Sequence, residues 1–336
     1  MNDKIKKIHD ETIVVDAHYD LLMDLTLQKN FNKFNVIKND HLNNFKKGGL
    51  SLIVSSIFID KPIYKEAYLH ETLDQIALFM EEIEKNEEIT FCRSYEDILN
   101  SKKQNKIGIM LSFEGADPLF DDLHLLKIFY ELGVRFIGLT WSRRNYISDG
   151  CKFGPVEKDK RSYGITDFGV NFIKKAENLG YIIDISHLSE TGFYDFIKIN
   201  QKPFIVSHTN IRHFTNNTRT LSDEQIKIIK ENDGIIGINS YKEFFNEKSK
   251  NISAYVDQIE YIINKIGDKN VGIGLDICTH LLKYEPFNEE KISPNIIKDH
   301  SEFTKITEEM LKRNYNESTI KNVLGENFIN FYKNNL

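Results

Sequence analysis

Five residues with side chains that can bind divalent metals stand at the ends of strand-like runs. They are His18 and Asp20 in VVDAHYD, Glu114 in GIMLSFEG, His187 in YIIDISH and His208 in PFIVSH. Each one closes an apolar, β-branched run and precedes polar or turn-forming sequence. Because a β/α barrel builds its active site from side chains at several strand ends, the pattern predicts one shared site. Three histidines and two carboxylates suit a pair of divalent ions that share one carboxylate, as in metal-dependent hydrolases.

Each of these residues also has a purely structural interpretation. An H-x-D pair can form a capped turn, and a buried histidine is usually a hydrogen-bonded core residue. A glutamate that closes a strand can be neutralised by a nearby Arg or Lys, or it can cap the next helix. The context favours metal ligands, because His187 and His208 end consecutive strands with similar local sequence, DISH and IVSH. The other histidines stand mostly in polar or helical sequence and are predicted to be surface or loop residues: His9, His41, His70, His124, His213, His280 and His300.

Asp276 ends a later strand-like run, VGIGLDI. It could cap a helix, or the Gly-x-Gly before it could help to bind phosphate, as late barrel strands often do. Beside metal ions, a carboxylate can instead orient the attacking water and carry its proton to the leaving amine. We therefore predict that Asp276 is a general base and proton shuttle.

Eight strand-like runs alternate with amphipathic stretches and must position these residues. The runs are TIVVDAH (12–18), LSLIVSSIFI (50–59), KIGIMLSFE (106–114), RFIGLT (135–140), YIIDISH (181–187), PFIVSH (203–208), GIIGINSY (234–241) and NVGIGLD (270–276). Several intervening stretches open on Ser, Thr or Asp and close on Gly, which indicates crossover helices. The pattern predicts an α/β fold, a (β/α)8 TIM-like barrel at about 12–280 with extra C-terminal helices at about 285–336, in a single domain at 1–336. A doubly wound open sheet is the alternative.

Composition argues against several other classes of protein. The chain has 336 residues, a hydrophobic share of 40% and a net charge of −6 without a basic cluster, so no nucleic acid partner is expected. The longest apolar stretch, LSLIVSSIFI, is well short of the roughly 20 residues that span a bilayer, so no membrane partner is expected either. Three cysteines without a spacing pattern, Cys92, Cys151 and Cys278, predict free thiols in a reducing compartment. With no signal-peptide core at the N-terminus, we expect a cytoplasmic protein, and a homodimer is the commonest assembly to consider.

Taken in order, the motifs resemble the membrane (renal-type) dipeptidases, a binuclear zinc metallopeptidase family (peptidase family M19) of the amidohydrolase-like barrels. DAHYDLL is similar to the family's D-G-H-N-D-L start, FEG to its E-G element, and IDISHLS and PFIVSHTN to its two histidine motifs. The resemblance implies two Zn²⁺ ions. It would assign His18 and Asp20 to one ion and His187 and His208 to the other, with Glu114 bridging both.

The same resemblance implies three residues around a small peptide substrate. Arg219 in NNTRTLSDEQI sits where the family places an arginine that holds the substrate's terminal carboxylate. Tyr241 in INSY is similar to the family's N-x-Y element, and Asp276 matches the first aspartate of its D-F-D segment. The implied function is a zinc-dependent dipeptidase that acts through a hydroxide bridging the two metals and is open to D-residues at the C-terminal position.

The chain departs from the family pattern at three places. Trp141 in LTWSRRN stands where mammalian members carry a histidine, which leaves Asn145 or a neighbouring arginine to polarise the carbonyl. D-F-D has become Asp276-Ile277-Cys278, and FEGADPL lacks a histidine that some members carry. Two other functions stay open: a metal hydrolase acting on a cyclic amide, lactone or phosphoester, and a metal-binding barrel without catalysis. The five ligands and Asp276 favour the dipeptidase.

Overall fold

The computed structural model describes residues 3–59, 65–156, 162–246, 249–284 and 294–336. Within these ranges lie ten strands. They are β1 (Val15–Tyr19), β2 (Leu52–Ile57), β3 (Ile89–Phe91), β4 (Ile107–Phe113), β5 (Val134–Gly138), β6 (Ile182–Asp184), β7 (Ile205–Ile211), β8 (Thr220–Leu221), β9 (Ile235–Ile238) and β10 (Val271–Ile273).

Eight of these strands form the wall of a barrel. They pair in parallel in the order β1-β2-β4-β5-β6-β7-β9-β10, whereas the short strands β3 and β8 pair with β4 and β7. The first and last wall strands are bridged, because the Asp276 amide donates a hydrogen bond to the His18 carbonyl at 3.2 Å. The predicted (β/α)8 barrel is therefore confirmed and the doubly wound sheet is excluded. Each of the eight predicted runs overlaps one wall strand, while β3 and β8 were not predicted.

Thirteen α-helices lie in the described part of the chain. They are α1 (Asp3–Glu11), α2 (Leu21–Lys29), α3 (Leu42–Gly48), α4 (Lys65–Glu84), α5 (Tyr95–Lys103), α6 (His124–Glu131), α7 (Asp167–Leu179), α8 (Glu190–Ile199), α9 (Asp223–Glu231), α10 (Ile252–Ile266), α11 (Thr304–Lys312), α12 (Glu317–Lys321) and α13 (Asn327–Asn335). Shorter 3-10 or π turns are Ile37–His41, Asp117–Leu119, Lys242–Phe244, Thr279–Lys283, His300–Glu302 and Asn322–Glu326. The sequence predicts helices in amphipathic stretches such as YKEAYLHETLDQIALFMEEIEKN, DDLHLLKIFYELG and ISAYVDQIEYIINKIG. Helices α4 and α6 to α10 fall on stretches of this kind, whereas α1, α2, α3 and α5 were not predicted.

Polar caps explain where several crossover helices begin. The side chains of Thr166, Ser189 and Ser222 each accept a hydrogen bond from the backbone amide three residues further on, at the start of α7, α8 and α9. These bonds satisfy amides that have no partner inside the first helical turn. Helix α7 ends on Gly180, whose φ of 94° is a left-handed conformation that glycine adopts without a steric penalty.

Apolar side chains near the amino ends of the wall strands fill one end of the barrel. They belong to a buried cluster that includes Val15, Leu52, Ile182, Ile205 and Ile235. Helix α13 packs into this cluster through Phe328 and Tyr332, and the Tyr332 ring centroid lies 5.2 Å from that of Phe136. The C-terminal helix therefore closes the amino end of the barrel, so a site can open only at the carboxyl end.

The predicted C-terminal extension starts at residues 285–293, which lie outside the described residues. Beyond them the chain runs without a helix until the 3-10 turn at His300–Glu302, and α11, α12 and α13 follow. No helix among the described residues combines the length and hydropathy that a bilayer crossing requires.

Candidate active site

Each predicted metal ligand lies in or just beyond a wall strand. His18 lies in β1, and Asp20 is the first residue after that strand. Glu114 follows β4, His187 lies beyond β6, and His208 lies within β7. Because these strands run parallel in the wall of one barrel, the five side chains meet at its carboxyl end. The prediction that they converge depends only on their positions at the carboxyl ends of parallel strands. The structure brings all five side chains together.

Glu114 stands at the centre of the cluster and directs its two oxygens to different ligands. Its Oε2 lies 3.2 Å from His18 Nε2, and its Oε1 lies 3.1 Å from His187 Nε2. His208 Nε2 is 2.8 Å from His187 Nε2, on the Oε1 side. Asp20 Oδ1 lies 3.8 Å from His18 Nε2, on the other side. A carboxylate placed in this way can share two cations.

The donor atoms of the cluster fit a divalent metal. His18 Nε2 and Glu114 Oε2 are buried without a hydrogen-bond partner, although they lie 3.2 Å apart. A buried polar atom left in this way costs about 1–3 kcal/mol, which a bound cation would remove. Two overlapping sets have ligand atoms within 4.8 Å of one another: His18, Glu114 and His208, and His18, Asp20 and Asp276. Imidazole nitrogen together with carboxylate oxygen is the ligand set that Zn²⁺ accepts.

Serine hydroxyls contact three of the five predicted ligands. Ser142 Oγ lies 2.8 Å from His187 Nδ1, and Ser207 Oγ lies 2.8 Å from His208 Nδ1. The Ser56 hydroxyl donates a hydrogen bond to Asp20. Contacts of this kind fix the ring orientation and tautomer of metal-binding histidines and leave Nε2 directed into the centre. The sequence did not predict these serines, since Ser142 and His187 are 45 residues apart.

Burial and the local charges shift the pKa values of the ligands in opposite directions. Burial and the neighbouring Glu114 carboxylate raise the pKa of Asp20 to about 8. Burial alone would lower the pKa of His18, but Glu114 and the other carboxylates outweigh it and raise that pKa to about 10. Burial and the charge of Arg219 lower the pKa of His187 to about 3. The cluster thus attracts positive charge beside His18 and keeps His187 neutral, the form in which imidazole binds a metal.

Asp276 lies beside the cluster, with Oδ1 3.9 Å from His18 Nε2. Its Oδ2 accepts a hydrogen bond from Asn239 Nδ2 at 2.7 Å, so Asn239 orients the carboxylate. Burial raises the pKa of Asp276, which suits a group that must both accept and donate a proton. Asp276 and His187 both adopt left-handed backbone conformations, with φ of 52° and 66°. Non-glycine residues rarely do so, and such strain is concentrated at functional sites.

Arg219 is a buried cation next to the predicted ligands. Its side chain is 4% exposed, and its Nη2 lies 3.2 Å from His187 Nε2 and donates to the His208 carbonyl at 3.3 Å. Its Nε is buried without a hydrogen-bond partner. A buried guanidinium with an unused donor is suited to binding an anion at this end of the site.

A cavity of about 450 Å³ opens onto the cluster, a size that suits a small ligand. The ionisable side chains that line it include Asp20, Glu114, His187, Arg219, Glu243 and Asp276. Its apolar lining includes Met23, Phe58, Trp141, Phe153, Phe244 and Leu281. Tyr241 lies in the same wall, as does Cys278, whose Sγ is 3.8 Å from Asp20 Oδ2.

Asn145 is placed differently from the other predicted substrate residues and is not part of this lining. Its Nδ2 donates to the Leu139 carbonyl at 2.9 Å, and its Oδ1 accepts from the Ile147 amide at 2.9 Å. The side chain therefore shapes the loop that follows β5. The Trp141 ring lies in the wall instead, with its centroid 5.8 Å from that of His187.

Three histidines that the sequence assigned to surface or loop positions are buried, so that prediction was wrong for His9, His41 and His300. His41 Nε2 lies 2.7 Å from Asp24 Oδ2, and His300 Nε2 lies 2.7 Å from Asp16 Oδ2. Polar sequence around a histidine does not reveal a carboxylate partner that is distant in the chain. Asp16 and His300, for example, are 284 residues apart.

The Asp16 side chain, two residues before His18 in β1, contacts groups outside the ligand cluster. The register between β1 and β2 shifts between Asp16 and Tyr19, which breaks the simple alternation along the strand. The Asp16 carboxylate accepts a hydrogen bond from the Leu275 amide at 2.9 Å, in addition to its contact with His300. Asp16 thereby ties β1 to the segment that leads into Asp276.

Comparisons with known proteins agree with this geometry. The sequence profile of the membrane dipeptidase family (Peptidase family M19) matches residues 2–335. Dipeptidase 3 of Mus musculus is 26% identical over 332 residues, which are 95% of this chain and 64% of that protein. Dipeptidase verJ of Clonostachys rogersoniana is 24% identical over 263 residues, which are 78% of this chain and 64% of that protein. The chain thus spans just under two thirds of the length of these curated relatives.

The fold is also found among solved structures. A metallopeptidase of Rhodobacter sphaeroides, liganded with a phosphinate mimic of the dipeptide L-Ala-D-Ala, has a TM-score of 0.85 to this chain at 23% identity. The match covers 97% of this chain and 100% of that one, so the two share the whole fold.

Proposed function

The chain belongs to the membrane dipeptidase family (Peptidase family M19), and on this premise we propose that it is a metal-dependent dipeptidase. The observation that carries the proposal is the position of Glu114, whose two oxygens face His18 and His187 at 3.2 and 3.1 Å. The buried guanidinium of Arg219 beside them supplies an anchor for a carboxylate. In this proposal residues 1–336 form a single catalytic domain.

The proposed cofactor is a pair of Zn²⁺ ions. His18 and Asp20 would hold one ion, His187 and His208 the other, and Glu114 would be shared between them. Bound there, the ions would polarise the scissile carbonyl and acidify a water molecule, which is the chemistry that peptide hydrolysis needs. The partnerless His18 Nε2 and Glu114 Oε2 support this assignment.

The chain's own residues bind the substrate and move its protons. Arg219 binds the free C-terminal carboxylate through a planar, two-pronged contact. Asp276 accepts the proton of the attacking water and donates it to the leaving amine, while Asn239 holds its other oxygen at 2.7 Å. Tyr241 contacts the substrate from the cavity wall. The carboxylate anchor lies 3.2 Å from a ligand histidine, so a carboxylate held by Arg219 would stand close to the metal cluster, as the C-terminus of a short peptide must.

A dipeptide is therefore the preferred substrate, and a D-residue at its C-terminal position is included in the proposal. The L-Ala-D-Ala mimic bound by the Rhodobacter sphaeroides metallopeptidase supports both points. Hydrolysis of a lactone, cyclic amide or phosphoester remains the second candidate, because the metal cluster alone would serve those reactions as well.

A dipeptide library screened with zinc tests the proposal. It should vary the side chain and chirality at both positions, alongside a lactone, a cyclic amide and a phosphoester. We expect hydrolysis of dipeptides with a free carboxylate and slower hydrolysis of the other classes. Turnover of a lactone or phosphoester without turnover of any dipeptide would refute the dipeptidase and support the second candidate function. Stoichiometric metal without any turnover would indicate a metal-binding barrel that does not catalyse.

A further inference from the structure

One wall of the cavity is built from four aromatic rings in succession, here called the aromatic arc: Phe244, Phe153, Trp141 and Phe58. The Phe244 and Phe153 rings are stacked with centroids 6.2 Å apart. The centroid of Trp141 lies 6.0 Å from that of Phe153 and 5.3 Å from that of Phe58. Such a run of rings presents a continuous apolar surface to whatever enters the cavity.

Three rings of the aromatic arc lie beside Arg219 and His187. The Arg219 guanidinium carbon is 5.8 Å from the Phe244 ring centroid. The rings of Trp141 and Phe153 have centroids 5.8 and 6.5 Å from that of His187. Other lining side chains are aliphatic and belong to the segments that follow Asp20 and Asp276: Met23, Leu281 and Leu282.

We propose that the aromatic arc selects a large apolar side chain, above all an aromatic one, at the C-terminal position of the dipeptide. The inference rests on the proposed function, in which Arg219 holds the C-terminal carboxylate. That carboxylate and the C-terminal side chain are attached to the same Cα. A carboxylate at Arg219 therefore brings this side chain against Phe244, Phe153 and Trp141, where ring-to-ring contact adds to the gain from burial.

The exposed fractions of the rings support the proposal, because a bound substrate would cover apolar area that is now exposed. Phe244 is 2% exposed and Phe58 is 9% exposed, so both are fixed in the wall, whereas Phe153 is 45% exposed. A half-exposed phenylalanine at the rim of a cavity has apolar area still to bury, and an incoming aromatic side chain would cover it. Trp141 also stands where the resemblance leads one to expect the histidine of mammalian members, so this ring of the arc departs from that pattern.

Two dipeptides of identical composition, Ala-Phe and Phe-Ala, isolate the position of the aromatic side chain. We expect kcat/KM for Ala-Phe to exceed that for Phe-Ala by about tenfold or more, within the range that apolar pockets discriminate. Trp141→Ala and Phe153→Ala should each move this ratio towards one. Phe34→Ala is the matched control, because Phe34 is 56% exposed and lies outside the cavity lining, so its ratio should equal that of the wild type.

Each outcome bears on the inference. Cleavage of both peptides with a ratio at or below one would overturn the role of the arc and leave the proposed function intact. Cleavage of no dipeptide would remove the function and the inference together. A wild-type ratio retained in both arc variants, with circular dichroism showing that they are folded, would overturn the inference as well. If Trp141→Ala fails to fold, Phe153→Ala still tests the inference, because a half-exposed ring contributes less to stability than a buried one.

Discussion

Replacing Arg219 with alanine tests how the site recognises its substrate. The side chain is 4% exposed, its Nε has no partner, and its Nη2 lies 3.2 Å from a proposed metal ligand, His187. A bound carboxylate would therefore meet a largely desolvated guanidinium. Truncating one partner of a buried, hydrogen-bonded charge pair costs about 2–5 kcal/mol. We expect kcat/KM for a free dipeptide to fall by roughly 30- to 5,000-fold.

The assay compares a free dipeptide with its C-terminal amide, using the wild type and Arg219→Ala. Amidation should impair the wild type by a similar factor, because it removes the same contact from the other side. In Arg219→Ala the amide and the free peptide should be cleaved at similar rates, since the two losses remove one interaction and do not add.

Arg212→Ala is the matched control for this assay. Arg212 is another arginine of the same region, but its Nη1 contacts Glu190 at 2.9 Å and it is not part of the cavity lining. We expect it to retain the wild-type preference for the free peptide. If Arg219→Ala also retained that preference, Arg219 would be only a structural cation and the carboxylate assignment would be refuted.

Further predictions concern the proton shuttle, the metals and acid stability. Asp276→Asn should keep its metal and lose roughly 10²–10⁴-fold in kcat, and full turnover would remove Asp276 from the mechanism. His208→Ala should bind less zinc on elemental analysis, whereas the exposed His213→Ala should match the wild type. Burial lowers the pKa of His9 from 6.5 to about 4, so the unfolded state binds more protons below pH 6.5. The free energy of unfolding should therefore decrease by up to about 3 kcal/mol as the pH falls from 6.5 to 4. Urea unfolding of His9→Gln should lack this part of the pH dependence, and an unchanged pH dependence would contradict the assignment.

The barrel and the metal cluster could be predicted because both depend on short-range sequence patterns. Each wall strand is a compact apolar run, and each predicted ligand lies in or just beyond one, as Glu114 does after IGIMLSF. In a parallel barrel, the position of a residue at a strand end already determines which end of the fold it reaches. His187 and His208 could therefore be brought to one place without any knowledge of the contacts between them.

What the sequence did not predict depends on contacts between distant segments. The pairing of His300 with Asp16 crosses nearly the whole chain, and the Ser142 contact to His187 joins two loops. Asn145 was chosen for its amide group, but local bonds to the Leu139 carbonyl and the Ile147 amide occupy it. The short strands β3 and β8 have too few residues to show a periodicity. The expected cytoplasmic location stays a prediction.

Titrating zinc into chelator-treated protein while measuring both bound metal and dipeptide hydrolysis tests the central claim most directly. The account predicts that binding saturates at two ions per chain and that hydrolysis rises with the number of ions bound. Full hydrolysis by protein that holds no more than trace metal, or no bound zinc after reconstitution, would contradict it.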